Sequence, residues 1–195
     1  VTTMKKLLGA LAAIALCSTI AAAEVPDEAN CTVSPADALN GLVFSPLNPT
    51  PAPASINTIT VRNSANVPIN NATVVISVGA NTTLCGATVL TGVTNASGQV
   101  VLTLGGGGCA HNVANYGLVS ANGVTIRRYS NCKSPDYDGA SGNLAVGLAD
   151  LTQFSSEFLD NAPNECHDYD NNANTGLEDV IIFGTPFTSA ASCAP

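Results

Sequence analysis

The chain has 195 residues, of which 46% are hydrophobic, 10% charged and 5% aromatic, with no tryptophan and a net charge of −8 at pH 7. Six Lys and Arg stand against 14 Asp and Glu, so the clustered basic side chains that a phosphate backbone attracts are missing and no nucleic-acid partner is expected.

Residues 1 to 23 read as a secretory signal. Lys5 and Lys6 precede an apolar run from Leu7 to Cys17 that leads to three alanines at 21 to 23, and cleavage is expected after Ala23. The run is too short for a membrane helix and lacks a stop-transfer flank, so no membrane span is expected in the remaining chain. Six cysteines follow it: Cys31, Cys85, Cys109, Cys132, Cys166 and Cys193. An even number in an exported chain predicts three disulfides, and Cys166 with Cys193 is the best single pair because the two bracket the last motif.

Residues 24 to 56 are rich in Pro, Ala, Ser and Asn, and "SPLNPTPAPAS" at 45 to 55 predicts an extended arm or linker. From Asn57 the texture changes to short Val, Ile and Thr runs separated by Asn, Gly and Ser. "TITVRN", "ATVVISVG", "QVVLTL" and "YGLVSANGVTIRRYS" predict strands, with hairpin or turn signals at "ANG" (121 to 123) and "NASGQ" (95 to 99). About seven short strands at this spacing predict a β-sandwich over residues 57 to 130, with Cys85 and Cys109 tying its loops or sheets. The four glycines at 105 to 108 have neither the following lysine nor the strand-to-helix setting of a phosphate loop, and predict a flexible turn.

The stretches "VRNSANVPINNATVVISV" and "TLCGATVLTGVTNASGQVVLTL" resemble bacterial immunoglobulin-like domains of secreted and surface proteins. That resemblance implies a spacer, adhesion or assembly module without catalysis.

Charge is placed unevenly. From Leu39 to Pro135 there is no acidic residue, while Arg62, Arg127, Arg128 and Lys133 lie inside that span. From Asp136 to Asp179 there are ten acids and no base. A mildly basic body followed by an acidic tail is expected, and such a tail is a better host for cations than for anions.

The tail is an internal duplication. "DYDGASGNLAVGLADLTQFSSEF" from Asp136 and "DYDNNANTGLEDVIIFGTPF" from Asp168 align so that Asp150 matches Asp179, 29 residues on, and Phe158 matches Phe187. Leu151, Phe154 and Phe158 in one copy, and Val180, Phe183 and Phe187 in the other, fall at i, i+3 and i+7 and predict one apolar face on each of two short helices. Each helix would open on an aspartate, where negative charge is favoured, and the two faces would bury each other.

In the second copy, oxygen-bearing residues at the first, third, fifth and twelfth places (Asp168, Asp170, Asn172 and Asp179) have the spacing a hard cation needs. The tail, residues 131 to 195, resembles the duplicated EF-hand-like calcium loops of dockerin modules. The resemblance implies Ca2+ as the bound ion, with those four side chains and the carbonyl of Asn174 as ligands. The sixth place, usually glycine, is Ala173, which predicts a turn that is strained or shifted toward Asn174. The first loop spans 15 residues from Asp136 to Asp150 instead of twelve. Three extra residues placed within "GASG" at 139 to 142 leave Asp136, Asp138, Asn143 and Asp150 as its ligands.

Catalysis is not expected. The only histidines are His111 and His167, the body lacks carboxylates between 39 and 135, and adjacent residues such as His167 and Asp168 orient each other poorly. In an oxidising compartment Cys109 is a disulfide partner before it is a zinc ligand with His111. Sequons at Asn30, Asn71, Asn81 and Asn95 mark exposed turns open to glycosylation. The expected whole is mainly β: an immunoglobulin-like β-sandwich with a small C-terminal α-helical, dockerin-like calcium module. The expected role is that of a secreted, non-catalytic structural protein at or near a cell surface. It would pair with itself head to tail, or tether its body to an extracellular scaffold receptor of the cohesin type.

Overall fold

Alternation of β-branched with polar residues builds the central strands. In β3 (Ile56–Thr60) Asn57 and Ile59 are buried, in β4 (Thr73–Val78) Val74 and Ile76, and in β9 (Gly117–Ala121) Gly117, Val119 and Ala121. In β10 (Val124–Tyr129) the buried residues are Ile126 and Tyr129, three apart, because a bulge between Thr125 and Arg127 inserts a residue into the alternation. The computed structural model describes residues 24–139, 142–160 and 166–193; the expected signal segment lies outside them.

β3 lies between β1 (Thr32–Ser34) and β7 (Gln99–Thr103) in one antiparallel sheet. A second antiparallel sheet runs in the order β10-β9-β4-β6, where β6 is Thr91–Val93. The hairpin between β9 and β10 turns at Asn122 (φ 47°) and Gly123 (φ 80°), the paired left-handed residues that match strand twist. Val33, Ile59, Val61, Leu102 and Leu104 from the first sheet and its flanks meet Val74, Ile76, Val119, Ala121 and Ile126 from the second in one core. The chain is therefore mainly β, as expected. Two short pairs complete it: β5 (Thr82–Leu84) with β8 (Gly106–Gly108), antiparallel, and β2 (Leu42–Val43) with β11 (Cys132–Lys133), parallel.

Four sequence expectations are corrected. The segment 24–56, expected as an extended arm, is woven into the body. β1 pairs with β3, residues 41–46 are all buried, and Leu42 and Phe44 sit in the core behind the short helix α1 (Ala36–Leu39). Its backbone is satisfied by distant partners, Phe44 N–H donating to Lys133 O at 2.8 Å and Ser45 N–H to Leu104 O at 3.0 Å, which no local pattern announces.

The four glycines are not a flexible turn. Gly106–Gly108 form the buried strand β8, and a Cβ on Gly107 would lie 1.8 Å from Asp136 Oδ2. A bare strand is needed there because the first acidic loop packs directly on it.

The disulfides are Cys85–Cys193 and Cys109–Cys166, and Cys31 and Cys132 are buried and free. Cys166–Cys193 does not form, nor do Cys85 and Cys109 staple the β body internally; both bonds join that body to the C-terminal segment.

The body is also not basic. Arg127 Nε lies 3.0 Å from Asp37 Oδ1 and Arg128 Nη1 lies 3.6 Å from Glu28 Oε1, so acids that precede Leu39 fold onto the arginines. The charge count by sequence window missed them.

The two C-terminal helices, α2 (Leu148–Asp160) and α3 (Leu177–Thr188), share a second core with Val43, Ala54, Val146, Tyr169 and Ala191. Phe154 and Phe183 stack with centroids 4.7 Å apart. Phe158 and Val180, expected on the buried face, are 37% and 39% exposed, so the contact centres on the middle turn of each helix. Among the described residues no helix is long and apolar enough to cross a membrane.

Candidate metal centre

The repeat is visible in hydrogen bonds. Asp150 Oδ2 accepts from Gly147 N–H at 2.8 Å, and 29 residues on Asp179 Oδ2 accepts from Gly176 N–H at 2.8 Å, so each helix is opened by a glycine and fastened by an aspartate three residues in. "Gly-Leu-x-Asp" opens both helices, running from Gly147 to Asp150 and from Gly176 to Asp179.

The loops match as well. In the second, Asp168 Oδ1 accepts from Asn172 N–H at 3.0 Å and Oδ2 from Ala173 N–H at 3.1 Å. In the first, Asp136 Oδ1 accepts from Asn143 N–H at 2.9 Å and Oδ2 from Leu144 N–H at 2.8 Å. The partners in the first loop lie three positions further along, so the extra residues fall between Asp138 and Asn143. Ala173 and Leu144 occupy the same place in the two loops, and both have φ 68°. The strain therefore stays at the sixth place and does not pass to Asn174.

Only the second loop gathers its acids. Asp168, Asp170 and Asp179 each offer a carboxylate oxygen within 4.8 Å of the others, the only such trio of His, Cys, Asp or Glu among the described residues. Calcium takes oxygen ligands at about 2.3–2.6 Å, so oxygens on opposite sides of one ion are about 5 Å apart, and this trio fits that span. Asp179 Oδ1 also accepts from Tyr169 N–H at 2.6 Å, which draws the start of α3 against the start of the loop. Asn172 and Asn174 are exposed on the same turn, and Asn172 Nδ2 donates to Asp170 Oδ2 at 2.9 Å. Asp136, Asp138 and Asp150 of the first loop do not form an equivalent trio. Asp136 and Asp150 are buried there, and Asp138 and Asn143 are exposed.

Comparison of the chain with models of protein families, with curated proteins and with solved structures returns no match.

The acids are held against their chemistry. Burial, more than the nearby Asp170 and Asp168, pushes the Asp179 carboxyl up to about 6 despite two backbone donors. Asp136 is pushed up to about 6, again chiefly by burial, with Asp150 and Asp138 adding to it. Asp150 and Asp170 are raised by burial too. Carboxylates crowded away from water are the setting in which a bound cation releases most electrostatic free energy.

Two neighbours of the second loop escaped the sequence reading. Lys133, counted there as a base of the body, is fully buried; its Nζ donates to the Asp168 carbonyl and lies 3.7 Å from Asp168 Oδ2. Asn171 Nδ2 donates to the carbonyl of Leu39 at the end of α1. With Cys109–Cys166, these contacts seat the loop on the β body. The available signal was that Lys133 is the only lysine after Lys6. His167 is a packed core residue: its main-chain N–H donates to Glu157 Oε2 at 3.0 Å, and its ring lies among Tyr137, Phe154, Tyr169 and Phe183.

Proposed function

We propose that the chain is a secreted, non-catalytic structural protein whose C-terminal segment is stabilised by calcium, working as a subunit of a surface fibre, layer or matrix. The observation that carries this reading is the trio Asp168, Asp170 and Asp179 at the start of α3, spaced to the reach of one hard cation and set in a duplicated loop. The resemblance to immunoglobulin-like sandwiches and dockerin loops adds the architecture in which such a segment caps a β body. Two disulfides that join body and tail agree with an oxidising compartment. Self-assembly would use the exposed apolar side chains of the helices, such as Leu148, Leu177 and Ile181. Attraction between a basic body and an acidic tail is not the force, since Arg127 and Arg128 are paired within the fold.

Calorimetric titration of calcium into chelated protein tests the first part: saturable heat and a higher melting temperature are expected, and no heat with an unchanged melt would remove the calcium. Gel filtration and electron microscopy with calcium and then with chelator test assembly. A strict monomer in both would end it.

A second reading, a dockerin-type module tethering the body to a scaffold receptor, is favoured by one observation. Leu148, Leu177 and Ile181 on the two helices are 77%, 70% and 73% exposed, apolar side chains that a receptor would cover. Pull-down from the secretome that contains this chain separates the two readings.

A further inference from the structure

A buried lysine of the β body sits against the second loop. Lys133 stands on β11, locked into the body by parallel pairing with β2, and its side chain is 1% exposed. Its Nζ donates to the main-chain carbonyl of Asp168 and lies 3.7 Å from Oδ2 of the same residue. Burial pulls this ammonium below its ordinary value, and the charges of Asp168, Asp179 and Glu157 act against that pull. A buried ammonium is costly unless matched by negative charge, and here the match is the acid that opens the metal loop.

From this placement we infer that Lys133 is the resident counter-cation of the second loop: it holds Asp168 in place when no metal is bound, and it opposes a divalent ion at the same carboxylates. The second half rests on the calcium reading above. Three carboxylates within 4.8 Å repel one another, and a positive charge built into the adjacent strand removes part of that repulsion. The tether to the Asp168 carbonyl does the rest, so the loop keeps its form without an ion. When calcium arrives, its two charges stand within a few ångströms of the ammonium. The lysine thereby lowers the affinity below what the same ligands would reach alone, toward a range that responds to extracellular calcium.

The test uses the full chain and Lys133→Met, which fills the space of the buried stem without charge. Melting with chelator and with calcium, and calorimetric titration of calcium chloride, are measured on both proteins. The variant is expected to melt lower without metal, to gain more from calcium than the parent, and to bind calcium at least about tenfold more tightly. A parent that gives no heat beside a variant that titrates supports the inference as well. Equal or weaker binding in the variant overturns it and leaves Lys133 a structural residue. No heat from either protein sinks the calcium reading and this inference with it.

Should Lys133→Met not fold, acylation of the parent with an amine-reactive reagent decides. Because Lys133 is the only lysine beyond residue 6, peptide mass reads its modification directly. Protection is expected to be equal in chelator and in calcium; rapid acylation after chelation shows that the lysine does not hold the empty loop, and overturns the inference.

Discussion

Phe154 and Phe183 stand 29 positions apart, occupy the same place in two copies of one repeat, and stack on each other with planes inclined by 23°. A duplicated helix can bury its apolar stripe against its own copy, and this ring pair is where that happens. Phe183, 3% exposed, also reaches His167 and Phe187. Phe183→Ala is expected to cost about 3–4 kcal/mol. At this size that is about 10 °C of melting temperature, read by thermal denaturation of the chelated protein. A loss below about 1 kcal/mol would mean that the two helices do not depend on this contact.

Asp179 fastens the start of α3 through both carboxylate oxygens, and one of them belongs to the candidate site. Asp179→Asn keeps the shape but turns an amide N–H toward one of the backbone donors that the carboxylate now accepts, Tyr169 N–H or Gly176 N–H. Stability without metal is expected to stay within about 1 kcal/mol of the parent, because the lost hydrogen bond is offset by removal of a buried charge. The calcium-induced rise in melting temperature should disappear altogether, and an undiminished rise would place the ion elsewhere.

Acidity separates the empty from the loaded protein. Asp136 and Asp179 are each raised from the ordinary carboxylate value of 3.8 to about 6, so between those limits the folded state binds protons that the unfolded state releases. Stability of the chelated protein therefore rises as pH falls from 7 through 6 toward 4, and the cost of the two buried charges is fully present above 6. The proposed calcium binding needs the ionised forms and is expected to weaken over the same interval. Melting curves from pH 7.5 to 5 should rise with acid in chelator and fall with acid in calcium; parallel curves would sink this.

Ala173 at φ 68° sits where an L side chain crowds the backbone. Ala173→Gly is expected to stabilise the chelated protein by about 1 kcal/mol, with Leu144→Gly doing the same in the first loop. Chemical denaturation measures both, and a loss in either would show that the methyl or isobutyl group makes contacts worth more than the strain.

Both disulfides span body and tail, Cys85–Cys193 with a sequence separation of 108 and Cys109–Cys166 with 57. Replacing Cys85 and Cys193 together by serine should cost about 3–5 kcal/mol, mainly through the freed unfolded chain. Denaturant midpoints before and after read it, and a smaller effect than from replacing Cys109 and Cys166 would contradict the dependence on loop length.

What the residues disclosed on their own was local. The Asn122–Gly123 hairpin, the strands on either side of it, the repeat from Asp136 to Phe187 and the clustering of Asp168, Asp170 and Asp179 were legible because turn chemistry, two-residue alternation and short-range spacing act over a few positions. Tertiary structure alone decided which cysteines meet, why residues 41–46 are core, why four glycines form a buried strand, and that Lys133 faces Asp168. Each of these depends on surfaces brought together from dozens of positions apart, where partner, burial and charge balance are set by packing and leave no periodic trace in the chain.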